Sequence, residues 1–238
     1  MKVLVVGATG GTGRAAVEAL VAEGHAVTAL ARRASGVLGG QAGVRPVDGD
    51  ATVAADVRAA VRDQDAVVVT LGISEKPMRV RLRGPAGTPI DVRSRGTAAV
   101  VAAMQEHGVR RLVVQSSYGV GETRDLLPLS SRLVFALLLK PQIADHWVQE
   151  DVVRRSGLDW TLVQPVYLTD DAEPAARSVD GSVEGMKVSR RAVGEVLAGL
   201  ATGADDDVGR CVSVSGAVPG PVQGPAPSLR GVGRTGSF

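Results

Sequence analysis

Apolar residues recur along this chain in two rhythms. Short, valine-rich runs of four to six residues appear at Val3–Val6, Ala26–Leu30, Val44–Val47, Ala66–Leu71, Arg111–Gln115 and Trp160–Gln164. Runs this short and this continuous read as strands buried on both faces of a parallel sheet. Between them lie stretches with helical spacing: Arg14–Val21, Ala54–Arg62, Ile90–His107, Ile143–Arg155 and Val188–Leu200. Gly108 and Gly157 follow two of these as C-terminal stops, and Ser189 introduces the last. Strand and helix in alternation predict an α/β fold, a Rossmann-type doubly wound parallel sheet in a single domain over residues 1–215 that includes the substrate crevice.

Other stretches refine that outline. Cys211–Val214 is expected to be a last short strand. In the helix Ile143–Arg155, the apolar Ile143, Trp147, Val148 and Val152 are expected to face the core, while Asp145, His146 and Gln149 fall together elsewhere. Leu129–Leu139 is apolar and expected to be a helix covering the sheet or a pocket. Residues 73–89, with Pro77, Pro85 and Pro89, are expected to form a loop, either over the substrate or simply solvated. From Gly216 to Phe238 the chain turns to Gly, Pro and Ser, which bury too little to offset ordering entropy, so residues 216–238 are expected to be a disordered tail.

Composition narrows the function. A chain of 238 residues carries one substantial core. The net charge of +2 comes from scattered arginines, not from a basic block, so nucleic acid is not the expected partner. The one cysteine, Cys211, rules out an internal disulfide and suggests no metal centre; a reduced, cytoplasmic setting is expected, with no signal peptide. Leu133–Leu139 is too short to span a bilayer, so no membrane partner is expected.

The chemistry concentrates at VLVVGATGGTGR, Val3 to Arg14. A strand, a glycine turn and a helix in this order form a phosphate-binding arrangement. Gly7 allows the tight turn, Gly10 leaves the backbone open to a pyrophosphate, and Gly13 lets the helix approach the strand. The first helical N–H groups, Gly11 included, lack internal partners and attract an anion. Thr9 and Thr12 add hydroxyls, with Thr12 a candidate helix cap. About twenty residues on, where NAD enzymes place a carboxylate for the ribose 2′-hydroxyl, stand Arg32 and Arg33. Two guanidinium groups and no acid suit a 2′-phosphate, so the expected cofactor is NADP(H). Asp50 and Ala51 follow the third strand beside the adenine. Leu71 and Gly72 close the fourth, where the crevice continues toward the nicotinamide. Gln115 ends the fifth, and Ser116, Ser117 and Tyr118 follow it as catalytic candidates. Pro165 and Val166 end the sixth as further cofactor contacts.

Taken together, VLVVGATGGTGR, LARR, DGDA, VVVTLG, VVQSSYG and SGLDWTLVQP resemble the atypical short-chain dehydrogenase/reductase family with an NmrA-like or NAD(P)H-binding domain. The spacing is most similar to its flavin reductase and biliverdin reductase B type members, over roughly Met1 to Ser215. The resemblance implies a monomeric or homodimeric NADP(H)-binding enzyme whose small-molecule substrate lies over the nicotinamide. It also implies that Asp145-His146 matches a pair found in the reductase-type members. Gln164 departs from it, since many relatives carry arginine there, which puts a substrate anion contact from this position in doubt.

The Tyr-x-x-x-Lys pair of typical short-chain dehydrogenases is also missing: Tyr118 is followed four residues on by Glu122, and Tyr167 by Asp171. Alcohol–ketone interconversion relies on such a pair. Hydride delivery to a quinone, a flavin or a related polyketide-like ring relies mainly on positioning and exclusion of water. The leading reading is therefore an NADPH-dependent reductase of conjugated acceptors. A redox-sensing NADP-binding module without chemistry, and an NADP-using isomerase or dehydratase, are the alternatives. Replacing Arg32 and Arg33 together by alanine should weaken NADPH binding, by about 1.5–3 kcal/mol per charge-assisted contact, and leave NADH binding nearly unchanged. Equal losses for the two dinucleotides in a fluorescence titration would refute the phosphate assignment.

Overall fold

A computed structural model describes residues 1–73, 75, 79, 84–127, 140–171, 174–203 and 207–217. The valine runs form the expected strands: β1 (Lys2–Val6), β2 (Ala26–Ala31), β3 (Val44–Asp48), β4 (Ala66–Val69), β5 (Arg111–Gln115) and β6 (Asp159–Pro165). They pair in parallel in the order β3-β2-β1-β4-β5-β6. Three short strands were not foreseen: β7 (Tyr167–Thr169), β8 (Ala175–Ser178) and β9 (Lys187–Ser189). The last strand, β10 (Arg210–Gly216), lies parallel to β6 and antiparallel to β8, completing an eight-stranded sheet; β7 and β9 pair separately.

Helices cover both faces. The elements are α1 (Gly11–Ala22), α2 (Ala34–Leu38), α3 (Ala54–Val61), α4 (Val92–His107), α5 (Lys140–Arg154) and α6 (Arg190–Thr202). Strand alternation sorts the core into two layers. Val3 and Val5 face α1 and α6 with Ala16, Val17, Leu20, Val193 and Leu197. Leu4 and Val6 face the opposite layer with Val57, Val100, Met104 and Val153. Ser189 caps α6 as expected, accepting a hydrogen bond from the Ala192 amide at 3.0 Å.

Several expectations change. Helix α1 starts at Gly11 with Gly10 as its N-cap and no side-chain cap, so Thr12 lies inside the helix and does not cap it. Gly216, placed at the start of the tail, belongs to β10 opposite Ala175, and the Ala217 amide donates to the Pro174 carbonyl. The remaining tail, 218–238, and the apolar stretch 128–139 lie outside the described residues.

In α5 only part of the expected inward face turns inward: Val152 packs against the core and Ile143 is half-buried. Trp147 and Val148 are 40% and 54% exposed, while Asp145, His146, Gln149 and Glu150 are buried beside Val153. The Trp147 ring instead lies 6.0 Å below the Arg124 guanidinium.

The crossing of α1 and α6 depends on a missing side chain. A Cβ on Gly194 would stand 2.5 Å from the Ala15 Cβ and 2.6 Å from the Ala16 nitrogen. Gly194→Ala gains about 1 kcal/mol of helix propensity but forces two backbones apart, at a cost of about 1–3 kcal/mol. A lower urea midpoint with an unchanged slope is the expected result. An unchanged or raised midpoint would show that the crossing relaxes freely.

Candidate functional site

Strand order reverses between β1 and β4, and ligands of doubly wound sheets bind outside the carboxyl ends of the strands at such a switch. At the end of β1, Gly7 adopts φ +85, and a Cβ there would stand 2.8 Å from the Thr70 carbonyl oxygen. The Thr70 hydroxyl, just beyond β4, donates to the Val6 carbonyl at 3.1 Å. A Cβ on Gly13 would stand 2.3 Å from the Gly7 oxygen, so the start of α1 sits directly on the turn. Gly10 and Gly11 are exposed. The first amides of α1 are uncapped, the arrangement that receives a phosphate. Thr9 is half-buried and Thr12 buried at the same turn.

Arg32 and Arg33 follow β2, both exposed. The Arg32 guanidinium is engaged with the Gly87 carbonyl and, at 3.1 Å, with the Thr88 hydroxyl. Asp50 accepts hydrogen bonds at 2.8 Å from the amide and hydroxyl of Thr52, which hold its carboxyl below the usual range. Ala51 is buried and Leu71 half-buried, and Gly72 opens onto the crevice. The Gln115 side-chain oxygen is buried without a partner among the described residues.

The residues after β5 are arranged differently from expectation. Ser116 is buried, and its hydroxyl donates to Glu150 Oε1 at 2.6 Å. Tyr118 is also buried; its hydroxyl donates to the Gly181 carbonyl at 3.0 Å, and burial pushes its pKa up. Ser116 and Tyr118 therefore serve the interior, because each hydroxyl proton already has a buried acceptor. Ser117 remains half-buried, with one 3.2 Å contact to the Tyr118 carbonyl. Pro165 and Val166 are buried, the former accepting from the Tyr118 amide and the latter donating to the Val214 carbonyl, so their polar backbone groups are committed to the sheet.

Glu150, absent from the sequence reading, anchors this interior. Its carboxylate also accepts from Gln164 Nε2 at 2.9 Å, and Arg154 lies 3.4 Å away. Gln164 in turn bonds Thr123 and the Val120 carbonyl, so it offers nothing to a ligand. Arg154 continues to the Cys211 sulfur at 2.9 Å; burial pushes that thiol up to about 12 and leaves it protonated.

A second polar cluster joins α4 to α5. Asp145 accepts hydrogen bonds from the amides of Arg93 and Ser94 at 3.0 and 3.1 Å and from the Ser94 hydroxyl at 2.5 Å. Gln149 reaches Thr97 at 3.0 Å and the His146 Nδ1 at 3.2 Å. A lone charged residue such as Arg93, in the first turn of a helix, carries no pattern that separates it from a solvated surface arginine. Two open depressions of about 410 and 510 Å³ lie at the opposite end of the sheet, among surface charges such as Asp65, Arg110, Lys2 and Arg62.

An uncapped glycine-rich helix start, a switch point and a crevice lined by the ends of β4 and β5 define a dinucleotide-binding Rossmann domain. The chain belongs to the NAD(P)H-binding family, which matches over residues 7–203. A chloroplastic, uncharacterized protein of Arabidopsis thaliana is 29% identical over 206 residues, 82% of this chain and 72% of that one. A short-chain dehydrogenase/reductase from Veillonella parvula, solved in complex with NADP, superposes with a TM-score of 0.73 at 17% identity, covering 92% of this chain and 95% of the other. ChuY, an anaerobillin reductase from Escherichia coli O157:H7, superposes at 0.70 with 22% identity, covering 93% of this chain and all of the other (100%). At these identities the likeness is one of fold. Among the described residues no helix is long and apolar enough to cross a membrane, and no cluster of His, Cys, Asp or Glu could hold a metal ion.

Burial, with Arg93 nearby, lowers the His146 pKa from 6.5 to about 3, so the ring is neutral at ordinary pH. The unfolded chain takes up that proton near pH 6.5 and the folded chain only near pH 3. This share of stability is complete above about pH 6.5 and is lost on acidification, by up to about 1.4 kcal/mol per pH unit. His146→Phe should therefore flatten the fall of melting temperature between pH 6 and pH 4, on the same scale. An unchanged acid limb would show that the imidazole reaches water before the fold is lost.

Proposed function

We propose that this chain is a cytoplasmic NADPH-dependent reductase that delivers hydride to a conjugated small-molecule acceptor, such as a quinone, a flavin or a related polyketide-like ring. The observation that carries the reading is the exposed, uncapped turn at Gly10 and Gly11, where the Arg190 side chain packs against Gly11, with Arg32 and Arg33 after the next strand and no carboxylate at that strand's end. The residues present fit the cofactor: the α1 amides and Thr9 would hold the pyrophosphate, and Arg32 and Arg33 the 2′-phosphate. Asp50 and Ala51 would flank the adenine. The partnerless Gln115 oxygen suits the amide protons of a carboxamide, since an unmet buried acceptor costs about 1–3 kcal/mol. Bound NADPH supplies the hydride.

The chain's own residues then position and exclude water. Gly72 would stand at the wall of the crevice past β4, while the Leu71 side chain packs back onto the core beside Gly96. Glu150 binds Ser116 and Gln164, and the half-buried Ser117 next in the chain would face the crevice. The Ser117 hydroxyl, with one 3.2 Å contact among the described residues, would turn toward an acceptor oxygen. No buried acid is required, because a reduced quinone or flavin oxygen or nitrogen takes its proton from water. A second reading, a redox-sensing module that binds NADP without chemistry, draws on the inward commitment of Ser116 and Tyr118.

NADPH oxidation against a panel of quinones, flavins and ketones separates the two. The reductase reading expects turnover with the ring acceptors and little with simple ketones. Ser117→Ala should lower kcat by about tenfold, or 1.4 kcal/mol, and Tyr118→Phe should lower kcat by less than tenfold while reducing the melting temperature. Tight NADPH binding with no oxidation of any acceptor would favour the sensor. A thousandfold loss in Tyr118→Phe at unchanged stability would restore tyrosine acid catalysis.

A further inference from the structure

Arg93 is the buried cation for which the cofactor reading has no use. Its side chain is 9% exposed, and desolvation pulls its pKa below the usual arginine value. Asp145 forms a buried ion pair with it, but at 3.8 Å from Nη1 the carboxylate oxygen is beyond hydrogen-bond reach. That carboxylate is already occupied by two backbone amides and the Ser94 hydroxyl. The Arg93 Nε and Nη1 are buried and donate to nothing among the described residues. Unmet donors on a charged group cost more than the 1–3 kcal/mol of a neutral one.

The direction of the side chain says where a partner would come from. Nη2, a different nitrogen from the two orphaned donors, lies 3.5 Å from the point where a Cβ on Gly72 would stand, so this corner of the guanidinium reaches the wall of the crevice past β4. The pyrophosphate and 2′-phosphate positions are served from the other side of the switch point, by the α1 amides and by Arg32 and Arg33 after β2. His146, neutral beneath the same cluster, adds no competing charge. Gln164 is spent internally and offers no anion contact from β6.

We propose that Arg93 is an anion hook of the acceptor pocket, receiving a carboxylate or similar anionic oxygen carried by the ring system that is reduced. The proposal rests on the reductase reading and names the class of acceptor: conjugated rings bearing an acidic substituent. The same guanidinium chemistry would serve a phosphate of the cofactor, so the test separates the two sources.

Calorimetric titration of the NADP⁺-saturated protein with anthraquinone-2-carboxylate, and with its neutral carboxamide, reads the hook directly. The wild type should bind the carboxylate at least tenfold more tightly. Arg93→Met should abolish that preference, Arg93→Lys should keep part of it, and the Kd for NADP⁺ should move less than twofold in either. Equal or undetectable binding of the two probes by the wild type overturns the proposal, as does a preference that survives in Arg93→Met. A tenfold loss of NADP⁺ affinity with the probe preference intact overturns it in favour of a cofactor contact. If Arg93→Met does not fold, the wild-type comparison and Arg93→Lys still decide. Failure of the wild type to bind NADP⁺ at all is a separate result, which strikes the reductase reading itself.

Discussion

The geometry of the crevice follows from the space between Gly7 and Gly13. A single methyl on Gly13 would sit 2.3 Å from the Gly7 carbonyl oxygen and 2.7 Å from the Thr70 hydroxyl, so β1, β4 and α1 meet where no side chain can be. That contact aims the uncapped amides of α1 along the carboxyl edge of the sheet and not into solvent at an arbitrary angle. Everything assigned to the dinucleotide is placed relative to it: Arg32 and Arg33 one strand to one side, Gly72 at the neighbouring strand on the other.

Helix α5 does complementary work beside α4 and β5, with a polar face turned inward. Its Asp145 meets the first amides of α4, its Gln149 reaches Thr97, and its Glu150 reaches Ser116 and Gln164. Such a network specifies one register of α4, α5 and β5 because each member is lost if the helix rotates by a residue, whereas an apolar face tolerates sliding. Arg93 is the member left incomplete, and it lies at the edge of the network nearest the crevice.

Much of this was readable from the residues. Continuous valine runs alternating with helical stretches point to a covered parallel sheet, and the strand–glycine–helix order at Val3–Arg14 matches the β1–turn–α1 unit of the fold. Strands β7, β8 and β9 were not readable, since segments such as AARS and KVS have neither the length nor the alternation of a buried strand. The phase of α5 was misread because burial was assumed to follow apolarity. The inward residues are polar and satisfied by partners some fifty residues away in sequence, such as Ser94 and Thr97, which periodicity cannot see. The same limit applies to Ser116 and Tyr118. Their place after a central strand marks them as site residues, but only their partners, Glu150 and Gly181, reveal that they face inward.

The grip of Arg32 on Gly87 and Thr88 has a thermodynamic corollary. One guanidinium serves two claimants, the segment before α4 and any phosphate placed beside β2. A ligand that draws the guanidinium away gives up the free energy of that grip, so measured dinucleotide affinity contains a term belonging to the segment. With the proposed 2′-phosphate contact at Arg32, reciprocity then runs the other way: whatever stabilises the segment in its present place would oppose the phosphorylated dinucleotide more than the unphosphorylated one. Selectivity between the two dinucleotides is, on this account, a property of the occupied crevice as a whole and shifts with what else is bound there.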